Sequence, residues 1–216
     1  MYHSKKAATE QHAATTKKPK RYSKQLIYSC IAQFFIILLI FHAKDFIFAA
    51  VTGKDSYALK HQTVGTVSDG QQIWQLFRNG EYLSDVNPND YMLLDSSGNT
   101  DFKYCTIIHE ARNLAYSVIL TAMLVLVLLI ADNSRDHTPF TKNNARRIKA
   151  IGYLQFSLAI VPGLLEFILK AAKFEYLYLP PRIESLYMLV IGFAIFMIGK
   201  IFDRGVSLQE ENDLIA

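Results

Sequence analysis

Hydrophobic positions gather into four long stretches that carry no Asp, Glu, Lys or Arg. Lys24 and Lys44 bound nineteen such residues, Arg112 and Asp132 another nineteen, Lys149 and Glu166 sixteen, and Glu184 and Lys200 fifteen. A soluble helix needs a charged face along its length, so four uncharged stretches in one chain argue against an ordinary soluble globule. Crossing about 30 Å of hydrocarbon takes about 20 mostly apolar residues. The second stretch meets this most clearly, because Ser117–Ile130 has no Gly, Pro or charge and no polar side to turn towards water. The first holds the apolar run Phe34–Phe41. The third extends past Glu166 to Leu169, and the fourth reaches Phe202 if Lys200 snorkels to the headgroups. The pattern predicts an all-α integral membrane protein with four transmembrane helices at 25–43, 113–131, 150–169 and 185–202.

The connecting segments differ in kind. Residues 1–24 are polar and aperiodic and are expected to form a disordered basic tail. Residues 44–112 are too many for a plain connection and are expected to hold structure of their own. Asn79-Gly80 is a hairpin signal between Ile73–Phe77 and Tyr82-Leu83, and Ser96–Asn99 is a second turn between Tyr91–Leu94 and Phe102–Ile108. These predict a small, β-containing extracytoplasmic cap between helices 1 and 2, although Gln71–Phe77 reads equally well as a short helix. Phe46–Val51 reads as an interfacial continuation of the first span. The remaining connections are a basic loop at 132–149, a short external loop at 170–184 and an acidic tail at 203–216.

Composition changes this picture little, since 51% hydrophobic and 19% charged residues lie near soluble averages. The placement of the charges is informative. Seven Lys and Arg precede the first span, five lie between the second and third, and Lys200 and Arg204 mark the end of the fourth. By the positive-inside rule these regions face the cytoplasm, so both termini are expected there. The net charge of +4 then reports topology and gives no reason to expect direct nucleic-acid binding. A cleaved signal peptide competes for the first stretch, but the 24-residue lead is long and no small-x-small site follows cleanly. Cys30 and Cys105 fall at different depths and are expected to be free thiols.

Ionisable residues collect near the outer span ends: His42, Lys44, Asp45, His109, Glu110, Arg112, Glu166 and Lys170. Glu166 and Lys170 are four apart and share a helix face, just after Pro162-Gly163, which can bend the helix. One reading is a polar site built from His42, His109, Glu166 and Lys170 for an ion or small ligand. The other, which we favour, is that all eight sit at headgroup depth, where such residues are ordinary. Nucleophile, phosphate-loop and zinc-protease motifs are absent, so no catalytic residue is assigned and no enzyme, cofactor or metal is expected. Ala159/Gly163 and Gly192/Gly199 fit close helix contacts, within the chain or in a homo-oligomer.

The loop and tail carry the most specific signal. The loop contains Pro139-Phe140-Thr141, Asn144, Arg147-Ile148 and Gly152, with Thr141 placed to cap the third helix and Phe140 before it. The tail contains Gly205, Leu208, Glu211, Asp213 and Leu214. Together they resemble bacterial four-span membrane proteins grouped as domain of unknown function 2975. That family carries a Pro-Phe-Thr-x-x-Asn-x-x-Arg-(Ile/Leu)-(Lys/Arg)-x-Ile-Gly loop and a Gly-x-x-Leu-(Gln/Arg)-x-Glu-x-(Asp/Glu)-Leu tail. Many members have acidic residues where this chain has Lys142 and Asn143, which weakens the capping box here. The resemblance implies a soluble helix-turn-helix regulator as a partner and carries no established activity. The charges add a second expectation: Arg146, Arg147 and Lys149 would face Glu210, Glu211 and Asp213, folding the tail onto the loop. Binding of the basic residues to anionic lipid competes equally. The reading that follows is a regulatory or interaction protein working through loop and tail in the lipid bilayer. The alternative is a small permease or immunity-type protein handling an ion, lipid or toxin.

Overall fold

The computed structural model describes residues 22–64, 71–136, 140–174 and 183–215. The expected N-terminal tail lies outside these apart from residues 22–24, as do Pro139 and residues 175–182 of the short loop. The chain divides into two compact units, Met1–Phe34 and Phe35–Ala216. The first contributes the opening turns of helix α1, and every contact described below belongs to the second.

Helix α1 is Tyr22–Val51. It runs straight through Phe46–Val51, because that segment is apolar and offers no Pro, Gly or capping side chain to stop it. A 3₁₀ turn at Lys54–Ser56 leads into the antiparallel strands β1 (Tyr57–Val64), β2 (Gln71–Arg78) and β3 (Glu81–Val86), ordered β1-β2-β3. The register pairs Tyr57 with Arg78, and Arg78 in turn with Glu81. Asn79 (φ 53°) and Gly80 (φ 83°) close the β2–β3 hairpin in the left-handed geometry that matches strand twist. Gln71–Phe77 is thus strand and not helix: Trp74 and Leu76 pair with neighbours on both sides, and Leu76 is fully buried.

Helix α2 (Pro88–Tyr91) is a single turn, with Asn87 capping it and Pro88 at its first position. The Ser96–Asn99 turn forms as expected, held by Asp95, whose Oδ1 accepts from the Ser97 and Asn99 amides at 2.9 and 3.0 Å. The segment after it differs from expectation. Phe102–Ile108 is not a cap strand but the first two turns of helix α3 (Phe102–Asp136). The cause is Asp101, whose carboxylate accepts from the Tyr104 amide at 3.0 Å and starts the helix well before the uncharged stretch.

Helices α4 (Lys142–Ala171) and α5 (Ile183–Ile215) complete the fold. Among the described residues four helices are long and apolar enough to cross a membrane, over Tyr28–Val51, Phe102–Ser134, Lys142–Ala171 and Leu186–Leu214. The fold is therefore mostly helical, with one three-stranded sheet between the first and second of these helices. Helix α4 is central, packing on α5 most extensively and then on α3. Its buried residues include Asn144, Ile151, Gln155, Leu158, Pro162 and Glu166, a stripe at helical spacing. Small residues bring the α5 backbone close: a Cβ on Gly152 would lie 3.1 Å from the Phe196 amide, and one on Gly192 would lie 3.2 Å from the Phe156 ring. Among the described residues nothing lies within 4 Å of a Cβ placed on Gly163, so the Ala159/Gly163 pair makes no close contact within the chain. A hydrophobic core of Tyr57, Leu76, Tyr91, Cys105, Ile108 and Phe174 joins the sheet to the start of α3 and the end of α4.

Candidate functional site

Two groups of polar residues stand out, one at each end of the α3–α4 pair. At the cap end, Glu166 on α4 is buried between two cations. Arg112 on α3 donates to its Oε2 at 3.0 Å, and Lys170 lies 2.8 Å from Oε1, one turn along α4. Lys170 also reaches Asp90 in α2 at 3.1 Å, and Arg112 lies 3.1 Å from Nδ1 of His109. Burying such charges is tolerable only because each is paired. The cavity among them has a volume of about 10 Å³, room for about one water. Of the four residues expected to form an outer site, His109, Glu166 and Lys170 come together here. His42 does not bond to this group, and its Nδ1 is buried without a hydrogen-bond partner among the described residues. Lys44 pairs locally with Asp45 at 3.2 Å.

A second anchor sits beside this group. Asp101 is buried and is met by Lys173 from the end of α4 and by Lys54 at 3.4 Å. Burial alone would raise its pKa, but the Lys173 hydrogen bond, the Tyr104 amide and both lysines outweigh that and hold the carboxyl below its usual range. Sequence reasoning missed Asp90 and Asp101. For Asp101 a signal existed: an aspartate directly before an apolar helical run is a cap.

At the other end, the loop motif forms a hydrogen-bonded knot. The Thr141 hydroxyl caps α4 by accepting from the Asn144 amide at 3.1 Å. The Asn144 side chain is fully buried. Its Oδ1 accepts from Asn133 Nδ2, and its Nδ2 donates to Ser134 Oγ, each at 3.1 Å. Asn133 also donates to Thr141 Oγ1 at 3.1 Å. Arg147 donates to the Leu129 carbonyl at 2.8 Å, tying α4 to the side of α3 about two turns before α3 ends. Thr141, Asn144 and Arg147 thus recur every three residues because that spacing sets all three on the face of α4 that meets α3. Asn133 and Ser134 were not singled out in the sequence, since two polar residues at a helix end are unremarkable until their partners are known.

The tail docks on the loop, but with partners other than those expected. Lys142 pairs with Glu210 at 2.7 Å and Lys149 with Asp203 at 2.6 Å. Arg147 turns to α3 instead, and Arg146, Glu211 and Asp213 form no ion pair among the described residues. The antiparallel packing of α4 and α5 is the reason: seven residues separate the two pairs on each helix, about two turns. The acidic end of the tail therefore lies opposite the start of α4, beyond Arg146. Phe140 packs between Phe202, with ring centroids 5.0 Å apart, and Gly205, where a Cβ would fall 2.7 Å from the ring. The motif glycine of the tail thus makes room for the motif phenylalanine of the loop. Leu208 and Leu214 are exposed, and Ile148 is half-buried.

Among the described residues no cluster of His, Cys, Asp and Glu suits a metal ion, and both cysteines are free. Neither a curated protein nor a solved structure matches the chain. The family model described as Protein of unknown function (DUF2975) matches residues 96–215. That region begins at the turn before α3 and takes in the loop knot, the docked tail and Arg112, Glu166 and Lys170, so the chain belongs to this family.

Proposed function

We propose that this is a multi-pass membrane protein without catalytic activity that regulates or recruits a soluble partner through its loop and tail. The observation that carries this reading is the continuation of α4 and α5 past their uncharged stretches into a polar surface closed by two partly exposed ion pairs. Such pairs are worth about 0–1 kcal/mol each, so the end of the tail, beyond Gly205 and the buried Val206, can leave the loop at little cost. Beneath them, the Asn144 knot holds the loop itself in place. The Lys and Arg distribution supports a cytoplasmic position for this surface, and the family resemblance supports a bacterial plasma membrane. A soluble helix-turn-helix regulator is the partner class the family resemblance implies. The cap then serves as the external receiving end. The alternative, a small permease or immunity-type protein, draws less support, because the cap-end charges are mutually paired around a space for about one water.

The test is affinity capture of the full-length protein, solubilised after cross-linking in cells. The wild type is compared with E210K/E211K/D213K, which leaves Gly205 and the packed part of α5 untouched. A partner captured with the wild type and lost from the variant, at equal expression and thermal stability, is expected. Identical capture by both proteins would overturn the reading and favour the permease or immunity class.

A further inference from the structure

Between α4 and α5, where their uncharged stretches end, lies a pocket of about 340 Å³ lined by Arg146, Lys149, Tyr153, Phe196, Lys200 and Asp203. Three cations face a single carboxylate in it. Asp203 is already engaged by Lys149 at 2.6 Å, whereas Arg146 and Lys200 have no anionic partner among the described residues. Lys200 instead sits over the Phe196 ring, 5.5 Å from its centroid, and Tyr153 meets the same ring edge-on at 5.3 Å. The pocket therefore has a surplus of positive charge on one side and an aromatic wall on the other. Tyr153 is mostly exposed, and the neighbouring outward residues Ile160, Val190, Phe193 and Met197 are apolar.

That combination is chemically selective. A soluble phosphate would use the cations but gain nothing from the aromatic wall or the apolar surface leading away from it. A neutral lipid would use the wall but not the charge. An anionic phospholipid uses both: its phosphate meets Arg146 and Lys200, its glycerol lies on Tyr153 and Phe196, and its chains follow the apolar face. Basic pockets between membrane helices at headgroup depth suit such headgroups, and guanidinium groups pair well with phosphate oxygens.

We propose that this pocket is a binding site for an anionic phospholipid, with Arg146 and Lys200 holding its phosphate. The proposal rests on α4 and α5 crossing a membrane, not on any soluble partner. It also predicts a link to the tail, because Lys149 and Asp203, which pin α4 to α5, line the same pocket.

The test uses the full-length protein in neutral detergent, titrated with phosphatidylglycerol or phosphatidylcholine and read by native mass spectrometry. Phosphatidylglycerol is expected to bind at least tenfold more tightly than phosphatidylcholine, and R146Q/K200Q to weaken it by about tenfold or more. K17Q/K18Q, which removes the same charge from the N-terminal lead, is expected to change binding less than twofold. Equal binding of both lipids, or equal losses in the two variants, would reduce the pocket to general surface charge and overturn the proposal. Tight binding of soluble glycerol phosphate would overturn the assignment to lipid. Flotation of each variant with neutral vesicles reports membrane insertion separately, so loss of insertion is distinguished from loss of the site.

Discussion

The two ends of the α3–α4 pair solve the same problem, joining neighbouring elements through polar groups, in opposite ways. At the cap end the joint is ionic and closed: Arg112, Glu166 and Lys170 have side chains only 16%, 10% and 13% exposed. At the tail end the charges are outside and the neutral groups inside: Lys142 and Glu210 are 65% and 53% exposed, while Asn144 is fully buried. Breaking a buried pair leaves a charge without water or partner, at about 3–5 kcal/mol, whereas an exposed pair is worth about 0–1 kcal/mol. The cap end is thus built to stay shut. The tail end combines a fixed loop with a segment that can detach.

The largest effect expected from breaking this contrast is at Glu166. E166A leaves Arg112 and Lys170 buried without their shared carboxylate and should cost about 3–5 kcal/mol. Chemical denaturation in detergent micelles measures it, and a loss below about 1 kcal/mol would put the cap-end cluster in the same class as the exposed pairs.

Next comes the neutral knot. N144A removes the acceptor for Asn133 and the donor to Ser134 and should cost about 1–3 kcal/mol. Increased protease cleavage in the loop, with the cap still intact, would show that the damage stays at the tail end.

Asp101 provides a pH dependence. Its carboxyl is held below its usual range, so its stabilisation is fully present above the unfolded-state value of about 4 and is lost as pH falls through the lower folded-state value. D101N keeps a capping side chain but not the charge. Its thermal midpoint should fall less steeply than the wild type's on acidification, with a difference on the order of 1 kcal/mol at neutral pH. Parallel curves for the two proteins would show that the lysines contribute nothing there.

The smallest effect belongs to the exposed pair. K142E should change stability by less than about 1 kcal/mol, and K142E/E210K should restore the difference. Cross-linking efficiency between cysteines introduced in loop and tail should follow the same pattern and disappear at high salt. If K142E destabilises as strongly as E166A, the distinction between a closed end and a releasable end collapses.

The sequence alone was enough for features that depend on local pattern. Four uncharged stretches implied four membrane-length helices, because no soluble helix tolerates water on every side of such a run. Asn79-Gly80 implied a hairpin through its backbone geometry, and Thr141 implied a cap by its place before a helical run. The loop and tail motifs pointed to the right family. Tertiary packing decided what local pattern left open. Gln71–Phe77 became a strand because β1 and β3 pair with it on both sides. The loop–tail pairs followed the antiparallel register of α4 on α5, which matches Lys142 with Glu210 and Lys149 with Asp203 and turns Arg147 to α3. Charge type is written in the chain, but which charge meets which depends on helix phase and axial offset, and those exist only once the helices have packed.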